Sequence, residues 1–258
     1  MAPKSGVYTN TQMEENGWTS CGLASVELTL ANASKVDIWA ETARRWMFST
    51  PTTQQDTKNL ADFDGKHTVR ELTGEIFTTL PDYMAENHGM VHPSYTASSV
   101  HFTGMLALLY NAYGRSLPEH AFFNREKVYQ ELKFTTDRTG SLHPVQGMDW
   151  PYLSPDPGTF LHATASILYK DAEAAYLERQ ALDVLEARLR STGGRMHEKE
   201  IAENVHGIQD PLIMRESNIM GPAHTYLFHR ILGDGPRPAS QAKYEASQRG
   251  GRVYPHSG

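Results

Sequence analysis

Two short stretches concentrate the side chains able to do chemistry. ENHGMVHPSY, residues 86–95, places Glu86, Asn87, His88, His92 and Tyr95 close together, punctuated by Gly89 and Pro93. HPVQGMDWPY, residues 143–152, offers His143, Gln146, Asp149, Trp150 and Tyr152. His88 and His92 stand four apart, the spacing that puts two metal ligands on one helix face. Gly89 and Pro93 work against a continuous helix there. Neither a cysteine ligand nor an H-E-x-x-H pattern accompanies the pair, so neither a metal nor another cofactor is expected. Taken singly, each residue also fits a solvated polar loop in which Asn87 caps a turn. The second stretch adds aromatic rings, and Trp150 and Tyr152 are costly to expose unless they pack or stack on something. Aromatic faces beside amides and carboxylates suit a sugar, which shows an apolar face and a rim of hydroxyls. The competing reading has Trp150 plugging its loop onto the core. Near the start, EENGW puts Glu14, Glu15 and Asn16 in the first turn of a helix, where carboxylates favour the dipole. With Trp18 behind them, Glu15 and Asn16 join Glu86, His92 and Tyr95 as candidate substrate-binding residues; Gln146, Asp149 and Trp150 complete that set.

The elements that must position these groups are helices. Residues 13–31 carry Trp18, Cys21, Ser25 and Leu28 on one stripe. Ser34 and Asp37 have capping-box spacing before a helix with Trp39, Ala43, Trp46 and Met47 on one face. Residues 51–93 are poor in apolar periodicity and read as mostly loop with one or two short helices. Phe102, Leu106, Leu109 and Tyr113 mark a helix from Ser94 to about Gly114. Another is expected from Pro118 to Phe134, with the proline at its tolerated first turn. A turn-rich connection over 135–158, with room for a short hairpin, leads to helices at about 158–170 and 172–191. The latter has Asp171 as cap and Leu177, Ala181, Val184 and Leu185 facing inward. After an irregular 193–208, a last helix spans about 210–232, bent at Gly221-Pro222. The expectation is an all-α fold: an incomplete (α/α) toroid of stacked antiparallel helical hairpins, with long polar loops at one end. It fills residues 1–234 and looks truncated at its N-terminus. Residues 235–258, rich in Pro, Gly, Ser and charge, are expected to be a disordered tail.

Composition narrows the partners. The 258 residues carry a formal charge of -6, against the basic face that nucleic-acid binding usually needs. A local field in a cleft can still oppose that net charge and hold an acidic ligand. Cys21 is the lone cysteine, which excludes an internal disulfide. No apolar run is long enough to cross a membrane, and MAPKSGVYTNTQ lacks the apolar core of a signal peptide.

Five segments in order resemble the helical toroid domain of heparinase II/III-like polysaccharide lyases: TQMEENGWTSCGLASVELTL, W…ARRWMFSTPTTQQD, ENHGMVHPSYTASSVHFTGMLALLYNAYGR, QGMDWPY and DAEAAYLERQALDVLEAR. The resemblance covers about residues 10–232 and rests on the segment order and the Asn-His pair. Members of that superfamily are usually longer, with a β-sandwich after the toroid. The resemblance implies β-elimination at a uronic acid residue of an acidic polysaccharide, in proteins often secreted or periplasmic. Carried onto matching positions, Asn87 neutralises the uronate carboxylate, His88 is the base or its assistant, and Tyr152 is the phenol, with Tyr95 a competitor for that last role. A further His or Arg often completes such a site; His143, His206 and Arg215 are available. Two other readings stay open. One is a glycoside hydrolase on the same scaffold, pairing Asp149 with Glu86 or Glu15 across about 5–9.5 Å. The other is a non-catalytic helical binding module or fragment.

Overall fold

The computed structural model describes residues 12–75, 77–87, 89–143, 146, 158–194 and 211–241, with backbone alone for 211–218. Helices dominate, and the strands among the described residues are two residues long, so the chain is all-α. It divides into two compact units.

The first unit, built mainly from residues up to Thr135, holds α1 (Met13–Thr29), α2 (Val36–Ser49), α3 (Val69–Thr73), α4 (Pro93–Ala112) and α5 (Arg125–Lys133). α1 packs on both α2 and α4, around Ala24, Leu28, Ala43, Met47, Leu106 and Tyr110. The alanines let these helices come close, and so does Gly17, where a Cβ would lie 2.1 Å from Phe102 of α4. That contact turns α1 relative to the expected stripe. Met13, Asn16, Gly17, Ser20, Ala24, Glu27 and Leu28 are buried, whereas Trp18 is 54% exposed. The polar members of the buried face are partnered: Tyr110 donates to Glu27 at 2.8 Å and the Ser20 hydroxyl donates to the Gly17 carbonyl.

The expected capping box at Ser34 does not form. α2 starts at Val36 after Lys35, with no side-chain cap. The motif appears instead at α3, where Thr68 and Glu71 cap each other reciprocally. Pro93 opens α4 at its first turn. The continuous helix expected over 118–134 is broken: a 3-10 turn covers Glu119–Phe122 and α5 begins at Arg125. Between them Asn124 takes a left-handed conformation, φ 56°. Its amide donates to the Pro51 carbonyl and to Asp56, and those bonds hold the break. Arg125, fully buried, fastens the same corner. It donates to the Met47 carbonyl at 2.8 Å, to Thr103 Oγ1 at 2.9 Å and to the Phe123 carbonyl. A buried guanidinium is tolerable only with such acceptors.

In the second unit are α6 (Thr159–Tyr169), α7 (Ala172–Ser191) and α8 (Pro211–Leu232). α6 packs on α7 and α8. Asp171 caps α7 as the sequence indicates, accepting from the amides of Glu173 and Ala174. Leu177, Ala181 and Leu185 are buried, and Val184 is half-buried. Phe228 of α8 meets Phe160 of α6 edge-on at 5.5 Å. α8 continues through Pro222. No described helix is long and apolar enough to cross a membrane.

Candidate functional site

The stretch 86–95 is built as a clamp on the start of α4. β1 (Glu86–Asn87) pairs antiparallel with β2 (Met90–Val91), Glu86 opposite Val91 and Asn87 opposite Met90. Gly89, at φ +82°, supplies the turn conformation that a side chain would resist. The Glu86 carboxylate accepts from the Gly89 amide at 2.8 Å, so one oxygen is committed to the turn. Below the hairpin, the His92 amide donates to the Ala85 carbonyl. The Ala85 amide donates to Thr96 Oγ1 at 2.8 Å, and that hydroxyl donates to the His92 carbonyl. These bonds weld the hairpin to the first turn of α4.

Burial differs sharply among the candidate residues. Glu86 and Asn87 are buried and His92 fully so; Tyr95 is half-buried and meets the His92 ring edge-on at 4.6 Å. The Asn87 side-chain oxygen is buried with no hydrogen-bond partner among the described residues. Leaving a buried amide oxygen unsatisfied costs about 1–3 kcal/mol. Natural folds rarely keep such an atom without a reason.

Gln146, of the second stretch, meets the hairpin. Its Oε1 accepts from the Val91 amide at 2.7 Å, an interaction 55 residues apart in sequence, on the strand opposite Glu86. His143, three residues earlier, is exposed and bound to Asp137 at 2.7 Å. Partial burial pushes the Asp137 carboxyl up, but hydrogen bonds from His143, Thr139 and Ser141 outweigh it and hold the group below its usual range. Among the described residues of the turn-rich connection, Thr136 and Leu142 form an isolated antiparallel bridge. His88, Asp149, Trp150, Tyr152 and His206 lie outside the described residues, as does the side chain of Arg215.

The α1 candidates stand apart along α4. Glu15 is half-buried and Asn16 fully buried. Trp18 donates its indole N–H to Glu14 at 3.1 Å and sets its ring against Phe102 at 4.8 Å. Phe102 is ten residues beyond His92 on the sequence, about 15 Å along a helix at 1.5 Å per residue.

Sequence reasoning passed over one other polar cluster in this unit. Asp64 lies 3.1 Å from His67 and 3.6 Å from His120. Burial pushes Asp64 up, but the His67 side chain and the amides of His67 and Lys66 bring it down to about 2. His120 sits among Phe48 and Phe63, and that burial lowers its pKa despite Asp64. The Asp64-Gly65 turn signal was the cue available for this cluster. Among the described residues no group of three His, Cys, Asp or Glu is placed to hold a metal ion.

Compared with family models, with curated proteins and with solved structures, the chain has no match.

Proposed function

We propose that this chain is a carbohydrate-active protein on an incomplete (α/α) toroid scaffold, acting by β-elimination at a uronic acid residue of an acidic polysaccharide. The observation that carries the reading is the Val91–Gln146 hydrogen bond. It brings Gln146, one residue of the second polar stretch, to the hairpin that bears Asn87. The burial of Asn87 on that hairpin is the second support, its Nδ2 hydrogens being the donors the role needs.

In this mechanism Asn87 hydrogen-bonds the uronate carboxylate and stabilises the enolate-like charge that develops on it. His88 removes the proton alpha to that carboxylate. The electron pair of the broken C–H bond forms a C=C bond to the neighbouring ring carbon, and the glycosidic C–O bond breaks. Tyr152 gives its proton to the departing oxygen. A phenol with a pKa near 10 suits that acid role better than the basic one. The hydrolase alternative is less well supported, because Glu86 already holds the Gly89 amide.

Acidic glycans supplied to the full chain should yield product with the ultraviolet absorbance of an unsaturated uronate. His88→Ala and Tyr152→Phe should each slow its appearance by roughly 10²–10⁴-fold. Asn87→Ala should lose rate while leaving the melting temperature unchanged or raised, because no partner of its oxygen among the described residues is orphaned. Silence across a broad panel of acidic glycans, or full rate in the Asn87→Ala variant, would reject the reading.

A further inference from the structure

A cleft of about 600 Å³ in the first unit shares no residue with the site described above. Its walls come from three short pieces. The segment after α2 contributes Lys58 and Leu60, α3 contributes Arg70 and Glu71, and the chain beyond α3 contributes Glu75 and Phe77. Backbone bonds fix these pieces against one another. The amides of Val69 and Arg70 donate to the carbonyls of Ala61 and Asn59 at 3.0 and 2.8 Å. Gly74, at φ +64°, turns the chain out of α3 so that Glu75 and Phe77 face back into the cleft wall. Just past them, the amides of Thr78 and Thr79 both donate to the Thr52 carbonyl. The cleft is thus preformed.

Its charges are unequally committed. Glu71 accepts from the Thr68 amide and hydroxyl at 2.7 and 2.9 Å, and those bonds lower its pKa. It is a cap before it is anything else. Neither Lys58 nor Arg70 makes an ion pair with a carboxylate among the described residues; Arg70 acts on Glu71 only through space. Lys58 and Arg70 are therefore cations without an ion pair among the described residues; with Glu71 and Glu75 counted the lining carries two charges of each sign, and the Glu71 carboxylate is held by Thr68. Leu60 is 68% exposed at the cleft, Phe77 is half-buried, and Gln54 and Thr57 add an amide and a hydroxyl to the rim.

We propose that this cleft is a second glycan-holding site, taking a carboxylate- or sulfate-bearing sugar unit of the acidic polysaccharide. The ligand identity rests on the β-elimination reading. The apolar pair Leu60 and Phe77 meets the ring face, Gln54 and Thr57 meet hydroxyls, and Lys58 and Arg70 meet the isolated negative charge. Glu75 disfavours ligands with clustered charge, such as a nucleoside triphosphate, because their phosphates would press against its carboxylate. A sugar chain with one charge per ring avoids that repulsion. The site would hold a long substrate without taking part in its cleavage.

The test is titration calorimetry of the full chain with a galacturonate hexamer and a sulfated heparin hexamer, with maltohexaose as the uncharged control. His88→Ala is present throughout to keep the ligands intact. At least one acidic hexamer should bind and maltohexaose should bind far more weakly. Lys58→Ala with Arg70→Ala should lower the affinity about tenfold or more, or remove one binding equivalent. Glu75→Gln should tighten binding, and added salt should weaken it. All three side chains are exposed, and circular dichroism melts check that the variants stay folded. Unchanged affinity in the double variant, equal binding of maltohexaose, or no binding of either acidic hexamer overturns the proposal. Product absorbance, followed separately with His88 intact, keeps the two claims apart. Turnover alongside unchanged affinity rejects the cleft and leaves β-elimination standing. Cleft-dependent binding with no unsaturated product on any acidic glycan does the reverse.

Discussion

At the scale of single residues, the chain shows how burial decides what a functional group can do. Cys21 lies on α1, where desolvation pushes its thiol up to about 11 despite help from Ser20 and Arg125. At pH 8 a thiol with that pKa is ionised in roughly one molecule in a thousand, and the thiolate is the reactive form. Native protein should therefore react with a disulfide reagent at least a hundredfold more slowly than the unfolded chain. Labelling kinetics in buffer and in denaturant check this, and equal rates would contradict the burial. Asn87 illustrates the opposite use, a buried amide oxygen without a partner among the described residues. That feature was not legible in the sequence, where Asn87 is equally compatible with capping a solvated turn. The choice depends on the Glu86–Gly89 bond and the strand pairing beneath it, which are contacts and leave no periodic trace.

At the scale of elements, the readable features were those in which a side chain answers its own backbone. Asp171 stands before α7 where cap chemistry puts it, whereas Pro93, read only as a break, opens α4, and Pro118, expected in a helix's first turn, precedes a 3-10 turn. Ser34 failed as a cap although its spacing to Asp37 was right, while Thr68 and Glu71 form the same motif unannounced. Local spacing permits a capping box, but the chain's path into the helix decides whether it closes. The break before α5 was hidden for a similar reason: Asn124 adopts its left-handed conformation to reach Pro51 and Asp56, some seventy residues away. The facing of α1 was misread because its buried side carries Asn16, Gly17, Ser20 and Glu27, which an apolar stripe does not include. Gly17 is the key residue of that face. Gly17→Ala would set a methyl 2.1 Å from the Phe102 ring, and overpacking of this kind costs about 1–3 kcal/mol. Although alanine is the better helix former, the melting temperature should fall, and Phe102→Leu in the same chain should recover part of the loss. A rise on Gly17→Ala alone would mean that α1 and α4 do not meet there.

At the scale of the whole molecule, each unit carries a histidine with a pKa moved in its own direction. In the second unit, His229 bonds Glu178 at 2.6 Å and Asp234 at 3.1 Å, and the Glu178 bond raises its pKa above 6.5. A raised histidine contributes stability below about 6.5 that is lost as pH climbs through its folded value. His229→Gln should accordingly destabilise most in mild acid and least at alkaline pH. His120 in the first unit is lowered by burial, so its contribution is intact above 6.5 and is lost as pH falls below it. Replacing His120 with Gln should remove that acid-side decline. Asp64, held at about 2, contributes above its ordinary value of 3.8 and weakens as pH drops toward 2. Melting temperatures of wild type and the two histidine variants from pH 4 to 9 test the histidine signs, and wild type against Asp64→Asn from pH 2 to 5 tests the third; in the second unit His224, lowered by burial, works against His229, so variant-minus-wild-type differences are the proper measure. The tight crossing of α1 and α4 has one more consequence, and it concerns ageing. Asn-Gly pairs in loose chains deamidate readily, because the glycine amide nitrogen can swing round and close a succinimide with the neighbouring side chain. Asn16 and Gly17 form such a pair, but one is fully buried and the other is pressed against Phe102 inside a helix. The first unit thus carries its own clock, stopped while folded and running whenever α1 lifts away, so aspartate accumulating at position 16 in stored protein records the time spent open.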